Sequence, residues 1–431
     1  SRVRRQRQMC IRDSFKVDDT FGGDEALKDL IKEAHSRNMK VVLDCSLNHV
    51  HPRHFAFQDI VEKGEKSEYK DWFTVFDYPV RFLHRPHLYA NTYKVGWDGN
   101  AEEYKTYLEK TFKETKVPVE VVDDDGPIIE PTFKAWWGVP DMPKINFKND
   151  GARQWALDVT EHWIKNFDID GWRMDVAKEL DFSFWKDFRD VAYSAKKDIL
   201  LISEIFGDTS QWLQGERFDG TMNYSFRETM TDYFATKRID NKEFANSLAN
   251  LYSMYSFEAL SSCQNLLSSH DVKRFLNRCG ANTDGMFGAI FLQATFPGIA
   301  GIYYGDEIGL GGADDPFNRE PFPWESEDKW NKDLLKFTSE LMNIKTSQPI
   351  LRYGNFEMVT YDDNYVIFRR VLNDESLLCI VNRDLNNKDI ELNTNAHSVD
   401  MVYGDCTIEL DSGKLKITDI ADNFGLIIKE S

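Results

Sequence analysis

Five acidic positions, each directly after a short apolar segment, are the residues of this sequence whose types and spacing could do chemistry. One acidic residue at such a place is weak evidence, because turns and helix N-termini also favour Asp; for Asp44 or Asp306 alone, a structural role is the better interpretation. Five such positions suggest function, since charges concentrated at one mouth would destabilise a fold without a catalytic reason. The polar groups that follow the five apolar segments are Asp44 to Asn48-His49, Arg173-Met174-Asp175, Glu204, His270-Asp271 and Asp306-Glu307.

Asp175 and Glu204 fit the two roles needed to cleave a glycosidic bond. One carboxylate attacks the anomeric carbon, and one carboxylic acid protonates the leaving oxygen. The two residues follow adjacent predicted strands, which lie about 4.8 Å apart, so the roughly 5–5.5 Å separation of a retaining pair is within reach. Arg173 lies two residues before Asp175 on the same strand, so its guanidinium points the same way and can keep Asp175 ionised.

Alternating helices and strands are expected to position these residues. A helix begins near Asp24, and Asn38 closes it. Its apolar face consists of Leu27, Leu30, Ile31 and Ala34. The same alternation continues along the chain and predicts a parallel sheet with helices outside. Six strands are predicted, near 41–43, 169–174, 200–202, 218–222, 264–268 and 301–304, with helices near 150–166, 183–196, 284–295 and 329–346.

The predicted fold class is α/β, a (β/α)8 TIM barrel, which has eight strands. With six counted, either two strands lie elsewhere or the chain starts late, and we expect an incomplete barrel without the first two. The stretch 51–148 is too long for a βα loop and indicates an inserted subdomain. The predicted domains are a non-native leader at 1–14, the barrel at 15–50 and 149–347, the subdomain at 51–148, and a C-terminal β-sandwich at 348–431, where short alternating strands follow Pro349.

Composition limits the function classes. The 53 Lys and Arg against 72 Asp and Glu give a net charge of −19, which argues against nucleic acid or an anionic membrane as partner. No run approaches the length of a membrane span. The six scattered cysteines favour a reducing, cytoplasmic setting. Residues 1–14 contain five Arg and two Gln without an apolar core, so they are no signal peptide and resemble translated adaptor sequence.

Four segments resemble the conserved regions of the α-amylase family of glycoside hydrolases, in family order. They are DCSLNH (44–49), GWRMDVAKE (171–179), SEIF (203–206) and SSHD (268–271), and GIYYGDEIGL (301–310) resembles the family's strand-eight region. The resemblance implies Asp175 as nucleophile, Glu204 as general acid/base and Asp271 as the carboxylate that grips sugar hydroxyls. It also implies glucose contacts for His49, Arg173 and His270; for each histidine the alternative is a satisfied residue at the barrel rim.

Two further segments resemble the neopullulanase, cyclomaltodextrinase and maltogenic amylase group. MPKIN (142–146) is similar to that group's short motif, and DPFNREPFPW (315–324) to its stretch after strand eight, which implies Asp315 and Arg319 near the non-reducing sugar. Trp136 and Trp137 could stack on glucose rings or pack in the subdomain core, and both interpretations stay open. Glu179 carries over as a substrate-binding residue, whereas Lys178 stands where the group commonly has Asn.

The chain departs from the family pattern in lacking expected strands and a domain, and its metal content is a separate question. The first two strands and the group's N-terminal β domain have no counterpart, so the chain is expected to be a fragment of a parent that could be a homodimer. A structural Ca²⁺ is possible, with Asn48 as its weak candidate ligand. No cofactor is expected to be required for the chemistry, because no Gly-rich phosphate loop is present.

The leading functional prediction is a retaining α-glucan hydrolase. It would cleave α-1,4 bonds of cyclodextrins, maltodextrins or pullulan, with α-1,6 bonds left open. The alternatives are a transglycosylase or isomerase using the same carboxylates, or a non-catalytic glucan-binding relative or inactive fragment.

Overall fold

The computed structural model describes residues 14–89, 101–381, 389–420 and 424–431. The chain forms two compact units. The first contains the described residues up to Glu204 together with 216–218, and the second contains 205–215 and 219–431. The predicted leader lies outside the described residues, except for Ser14. The units divide the segment predicted to form one barrel domain, so the predicted domain limits stay predictions.

Helices and strands alternate as far as Tyr353, and strands follow in the described residues beyond it. The strands are β1 (Val42–Cys45), β2 (Phe82–His84), β3 (Val119–Val121), β4 (Ile129–Pro131), β5 (Gly171–Met174), β6 (Leu200–Ser203), β7 (Gly220–Thr221), β8 (Gln264–Leu266), β9 (Ile299–Gly301), β10 (Asn355–Tyr361), β11 (Val366–Leu372), β12 (Glu375–Val381), β13 (Ile390–Asn393), β14 (Val399–Tyr403), β15 (Thr407–Asp411), β16 (Lys414–Thr418) and β17 (Gly425–Glu430). The helices are α1 (Gly23–Ser36), α2 (Phe55–Lys63), α3 (Ala101–Thr115), α4 (Asp150–Phe167), α5 (Phe182–Ala195), α6 (Tyr224–Met230), α7 (Asn241–Ser253), α8 (Phe257–Ser262), α9 (Phe275–Arg278), α10 (Asp284–Thr295), α11 (Lys332–Ser347) and α12 (Pro349–Tyr353). Among the described residues, no helix is long and apolar enough to cross a membrane.

The first unit is built around three parallel strands in the order β1-β5-β6. Helix α4 leads into β5; it begins at the Asn149 cap, whose side chain accepts from the Ala152 amide, and its apolar face is buried. Gly171 opens β5 because the neighbouring strand lies close: a Cβ there would meet the Leu200 carbonyl oxygen at 2.6 Å. The parallel pairing places the carboxyl ends of β1, β5 and β6 side by side. The predicted strands near 41–43, 169–174 and 200–202 are confirmed.

Helix α1 is confirmed, but its predicted apolar face is only partly right. Ile31 and Ala34 are buried and Leu27 is half-buried, whereas Leu30 is 59% exposed. The helix packs on α4 along a narrow stripe, and Leu30 lies outside that stripe. An apolar residue at helical spacing therefore does not by itself identify a core position.

The inserted region, within 51–148, has its own small core. Strands β3 and β4 flank β2, one parallel and one antiparallel. Phe57, Phe82 and Phe133 are fully buried and in ring contact, with Phe133 at 4.7 Å from Phe57 and 5.8 Å from Phe82. These rings tie α2 to the sheet.

The second unit contains the other three predicted parallel strands. A parallel bridge joins Met222, after β7, to Gln264, and β8 pairs in parallel with β9. The strand predicted near 301–304 ends earlier, at Gly301, and the following residues turn towards a short 3₁₀ helix. Helix α10 is buried on nearly all sides, as expected for a helix that is apolar all round.

The C-terminal strands form two antiparallel sheets, in the orders β10-β11-β12-β17-β14 and β13-β16-β15. Alternate residues of the central strand β12 enter two different cores, as the two-residue period of a strand requires. Leu377 and Cys379 join the large core around α10, while Leu378 and Ile380 pack with Ile417 of the smaller sheet. The predicted C-terminal all-β region is confirmed.

Candidate active site

The centre of the candidate site in the first unit is the Arg173 guanidinium. Its Nη1 contacts Asp44 Oδ1 at 2.7 Å and Asp175 Oδ1 at 2.9 Å, and its Nη2 lies 3.0 Å from Glu204 Oε1. The strand register explains the arrangement: Asp44 on β1 is opposite Arg173 on β5, and the amide of Glu204 donates to the Met174 carbonyl. Asp175 and Glu204 are thus held by one rigid, planar cation.

Three carboxylates around one guanidinium make this a strongly charged, largely enclosed site. Asp175 is 8% exposed and Glu204 is 6% exposed. Burial lowers the pKa of Arg173, but the charges of Asp44, Glu204 and Asp175 outweigh burial and raise that pKa above its ordinary value. Arg173 therefore stays cationic at every physiological pH.

Val176, directly after Asp175, is a functional position that sequence reasoning missed. Its backbone is left-handed (φ 44°, ψ 40°), which is rare and costly for a β-branched residue. This conformation aims the Val176 amide at Glu204, whose Oε2 accepts it at 3.0 Å. Nothing in the sequence signals the strain, because the residue type argues against it.

The predicted glucose-binding residue His49 lies in an aromatic stack of the same unit. The Trp136 ring is parallel to it at 5.2 Å, and Trp137 stacks on Trp136 at 5.0 Å. His49 is 2% exposed and Trp137 is 84% exposed. Core packing is therefore excluded for Trp137, whose left-handed backbone (φ 51°) turns it outward.

His49 is neutral near pH 7. Burial lowers its pKa to about 4; the charge of Asp175 opposes that shift and the charge of Lys144 adds to it. An antiparallel bridge pairs His49 with Lys144, so the MPKIN segment lies against the DCSLNH segment. A neutral imidazole can both donate and accept a hydrogen bond, as sugar hydroxyls require.

Glu179, predicted to bind substrate, is engaged by Lys144. The Lys144 ammonium lies 2.5 Å from Glu179 Oε2, at the end of the 3₁₀ helix Ala177–Glu179 that follows the segment containing Asp175. Lys178, the departure from the group's pattern, is exposed. The MPKIN motif alone does not predict that its lysine pairs with Glu179.

The second unit brings together the other four predicted residues. His270 Nε2 lies 3.0 Å from Asp271 Oδ2, and Arg319 Nη2 lies 3.5 Å from Asp271 Oδ1. Arg319 Nε lies 3.7 Å from Asp315 Oδ1. The SSHD motif and the DPFNREPFPW stretch thus meet through charged side chains, although 44 positions separate Asp271 from Asp315.

Asp306, one of the five acidic strand ends, is structural. It is 3% exposed, accepts from the Ser268 hydroxyl at 2.9 Å and lies 3.4 Å from Arg274 Nη1. Burial raises the pKa of its carboxyl to about 7, against the hydrogen bond from Ser268 and the charge of Arg274. Through its hydrogen bond with Ser268, Asp306 holds the first residue of the SSHD segment in place.

The structure thus places the predicted site residues in two groups, and their roles remain predictions. The first unit holds His49, Trp136, Trp137, Arg173, Asp175, Glu179 and Glu204, and the second holds His270, Asp271, Asp315 and Arg319.

A calcium ion bound near Asn48 stays a prediction. Asn48 is fully buried and its Oδ1 accepts no hydrogen bond from the described residues, but calcium takes six to eight oxygen ligands, several of them carboxylates. Within the described ranges, no group of three or more His, Cys, Asp or Glu could hold a metal.

The family model of the α-amylase catalytic domain matches residues 4–118 and 132–348 of this chain. The chain belongs to the α-amylase family. This membership confirms the resemblance, and with the structural neighbours it confirms the predicted fold class, a TIM barrel followed by an antiparallel β domain.

Relatives of this α-amylase family chain include the predicted group. The cyclomaltodextrinase of Thermoanaerobacter pseudethanolicus is 32% identical over 88% of this chain and 58% of that protein. Neopullulanase 2 of Thermoactinomyces vulgaris is 34% identical over 86% of this chain and 56% of that protein. The chain thus spans a little more than half the length of these curated relatives.

Solved structures resemble the chain over nearly all of its length. A cyclomaltodextrinase aligns with a TM-score of 0.81 and 28% identity, covering 98% of this chain and 65% of that one. The cyclic α-maltosyl-(1→6)-maltose hydrolase of Arthrobacter globiformis aligns with a TM-score of 0.78 and 27% identity, covering 98% and 83%.

Proposed function

We propose that this chain carries the catalytic machinery of a retaining α-glucan hydrolase that cleaves α-1,4 bonds, with α-1,6 bonds as a second target. One observation carries the proposal: a single buried guanidinium, Arg173, holds the carboxylates of Asp175 and Glu204 at the ends of adjacent strands. Two carboxylates on neighbouring strands fit the short spacing of a retaining pair.

The proposed reaction has two steps. Asp175 attacks the anomeric carbon while Glu204 gives its proton to the leaving oxygen, so the glycosidic bond breaks and a glycosyl ester forms. Glu204 then takes a proton from water, which attacks the anomeric carbon and releases Asp175. In this scheme Asp271 binds sugar hydroxyls in the distorted transition state.

Short or cyclic α-glucans are the proposed substrates. Trp137 offers an exposed ring stacked through Trp136 onto His49, and aromatic faces suit the apolar faces of glucose. Asp315 and Arg319 are proposed to bind the non-reducing sugar. The names of relatives, cyclomaltodextrinase and neopullulanase 2, support these substrates. A cytoplasmic location is proposed because a similar relative is the intracellular maltogenic amylase of Bacillus subtilis; the parent is further proposed to dimerise.

The test is a pair of matched substitutions. Glu204→Gln should keep the fold but lower turnover of maltotriose and β-cyclodextrin by roughly 10²–10⁴, because the amide cannot donate the proton. An aryl maltoside whose leaving group needs no proton should still form the glycosyl-enzyme. The control is Glu307→Gln, whose carboxylate accepts the Gly305 amide and should stay active. Unchanged maltotriose turnover in Glu204→Gln would contradict the proposal.

The nucleophile and the competing functions have separate readouts. A fluorinated glucosyl inhibitor should label the peptide containing Asp175, and labelling of Asp271 or Asp44 would reverse the roles. Products longer than the substrate would favour the transglycosylase. Glucan binding without turnover by the folded wild-type chain would favour a non-catalytic relative.

A further inference from the structure

The loop that carries Asp271 is fastened by one buried amide. Asn318 is 1% exposed and lies on the 3₁₀ helix Phe317–Arg319. Its Nδ2 donates to the carbonyls of His270 at 2.9 Å and Val272 at 3.0 Å, with a longer contact to Ser269 at 3.5 Å. The accepting carbonyls bracket Asp271 on both sides.

We propose that Asn318 is a positioning residue for Asp271: it fixes the backbone on both sides of the carboxylate, so that the carboxylate meets the sugar in one orientation. The proposal rests on the proposed function for the role of Asp271. It concerns a residue whose side chain has no chemistry of its own.

Other contacts hold the backbone of this loop at positions on either side of the turn. Arg227 of α6 donates to the carbonyls of Leu267 at 2.8 Å and Lys273 at 3.2 Å. Ser268 is held by Asp306 and accepts the Phe275 amide at 2.9 Å, which anchors the two ends of the segment. At Asp271 itself, the backbone amide is bound locally by the Ser269 hydroxyl at 3.2 Å. Asn318 adds hydrogen bonds from another element to the two carbonyls directly on either side of Asp271.

The same 3₁₀ helix places charge beside Asp271. Arg319 follows Asn318 directly and lies within 3.5 Å of the Asp271 carboxylate. Two neighbouring residues of one short element therefore act on Asp271: Asn318 holds its backbone, and Arg319 places a cation beside its carboxylate. Asn318 should act on transition-state binding, because a misplacement of about 1 Å can cost about 10²-fold in rate.

The experiment is a double-mutant cycle on the full chain with an aryl maltoside substrate. Asn318→Leu keeps the side-chain size but donates no hydrogen bond, and it should lower kcat/KM by roughly 10- to 100-fold. In an Asp271→Ala background, the same change should cost less than about threefold, because no carboxylate remains to position. Asn318→Ser keeps one donor and should recover part of the loss.

The matched control is Asn241→Leu. Asn241 is another buried amide of the second unit, 6% exposed, which donates to the Asp362 carbonyl at 2.7 Å and accepts from the Tyr233 hydroxyl. Its loss should lower the melting temperature as much as Asn318→Leu does, with kcat/KM nearly unchanged. Equal losses for Asn318→Leu with and without Asp271, or none in a folded variant, would overturn the proposal.

Hydrogen exchange separates this proposal from the proposed function and uses Asn318→Ser if the leucine variant does not fold. The peptide spanning 266–275 should exchange faster in Asn318→Ser than in wild type or Asn241→Leu. Unchanged exchange there would overturn the positioning role. A wild-type chain without turnover, but with faster exchange in Asn318→Ser, would count against the hydrolase alone.

Discussion

Replacing Asp170 by Asn should lower the free energy of unfolding by about 3 kcal/mol near neutral pH and leave the chemistry intact. The carboxylate is 5% exposed and immediately precedes β5, at the strand end opposite to Asp175. It accepts from the Val41 amide at 2.9 Å, His35 Nε2 at 2.7 Å, Lys40 Nζ at 3.1 Å and Lys196 Nζ at 2.9 Å.

The magnitude follows from the burial of each partner. Breaking a buried ion pair costs about 3–5 kcal/mol, but Lys40 is 66% exposed and His35 is 28% exposed, so the lower end of that range applies. An amide can still accept from Val41 and one further donor, which also limits the loss. The chemistry is spared because the substitution lies at the N-terminal end of the strand, where barrels hold stability rather than function.

The pH dependence has a definite sign. Burial alone would raise the pKa of the Asp170 carboxyl, but the Val41 amide, His35, Lys196 and Lys40 together hold that pKa well below its usual range. In the unfolded chain an Asp titrates near about 3.9. The stabilisation is therefore fully present above that value and is lost as the pH falls further, because the unfolded state binds the proton first.

Urea unfolding at pH 7, 5.5 and 4, followed by tryptophan fluorescence, tests this reasoning. The difference between wild type and Asp170→Asn should be smaller at pH 4 than at pH 5.5. The control is Asp168→Asn, whose carboxylate also binds Lys196 Nζ but is 69% exposed, and which should cost less than about 1 kcal/mol. Equal costs for the two variants, or reduced turnover of folded Asp170→Asn, would refute the argument.

Three further substitutions have distinct expected outcomes. Arg173→Met should destabilise the protein by about 3–5 kcal/mol in thermal and urea unfolding, since three carboxylates lose their cation; a loss under 1 kcal/mol would contradict the site geometry. Trp137→Ala should raise KM for maltodextrins several-fold at constant melting temperature, because an exposed ring worth about 0.5–1.5 kcal/mol of stacking is removed; an unchanged KM would exclude it from binding. Lys345→Met should remove a rise in the free energy of unfolding between pH 7 and 9. Burial, with the charge of Arg370, lowers the pKa of Lys345 to about 7, whereas an unfolded lysine titrates at about 10.4. The unfolded state of the wild type therefore binds more protons in that window, and its stability rises with pH. Parallel stability curves for wild type and Lys345→Met would contradict it.

The strands and the first group of site residues could be predicted because their signals are local. A run such as Val41-Val42-Leu43 marks a strand to within two residues, since β1 spans Val42–Cys45, and β-sheet geometry then places neighbouring strand ends together. That is why the pairing of Arg173 with Asp175 and the proximity of Asp175 and Glu204 could be predicted, whereas the contact of Arg173 with Glu204 could not. The two-residue spacing of Arg173 and Asp175 on one strand carried most of this information.

The positions that could not be predicted depend on packing between distant segments. Asp271 and Asp306 both follow strand-like segments, yet the structure makes one a half-exposed partner of Arg319 and the other a buried anchor for Ser268. Nothing near either residue distinguishes them, because burial is decided by the segments that arrive later in the chain. Asn318 was missed for the same reason: an asparagine in a loop is usually a turn residue.

The charged clusters at the two ends of β5 differ in their balance of positive and negative groups. At the Asp170 end, the ammonium groups of Lys40 and Lys196 are matched by the carboxylates of Asp170 and Asp168. At the Arg173 end, three carboxylates share one guanidinium, so negative charge is in excess there even when Glu204 holds the proton that it donates in the proposed reaction. A cluster built for stability would match its charges, whereas glycoside cleavage passes through an oxocarbenium-like, positively charged transition state. In the proposed reaction, excess negative charge held rigidly on strand ends would favour that state over the neutral substrate, which is the condition for catalysis by preorganised charge.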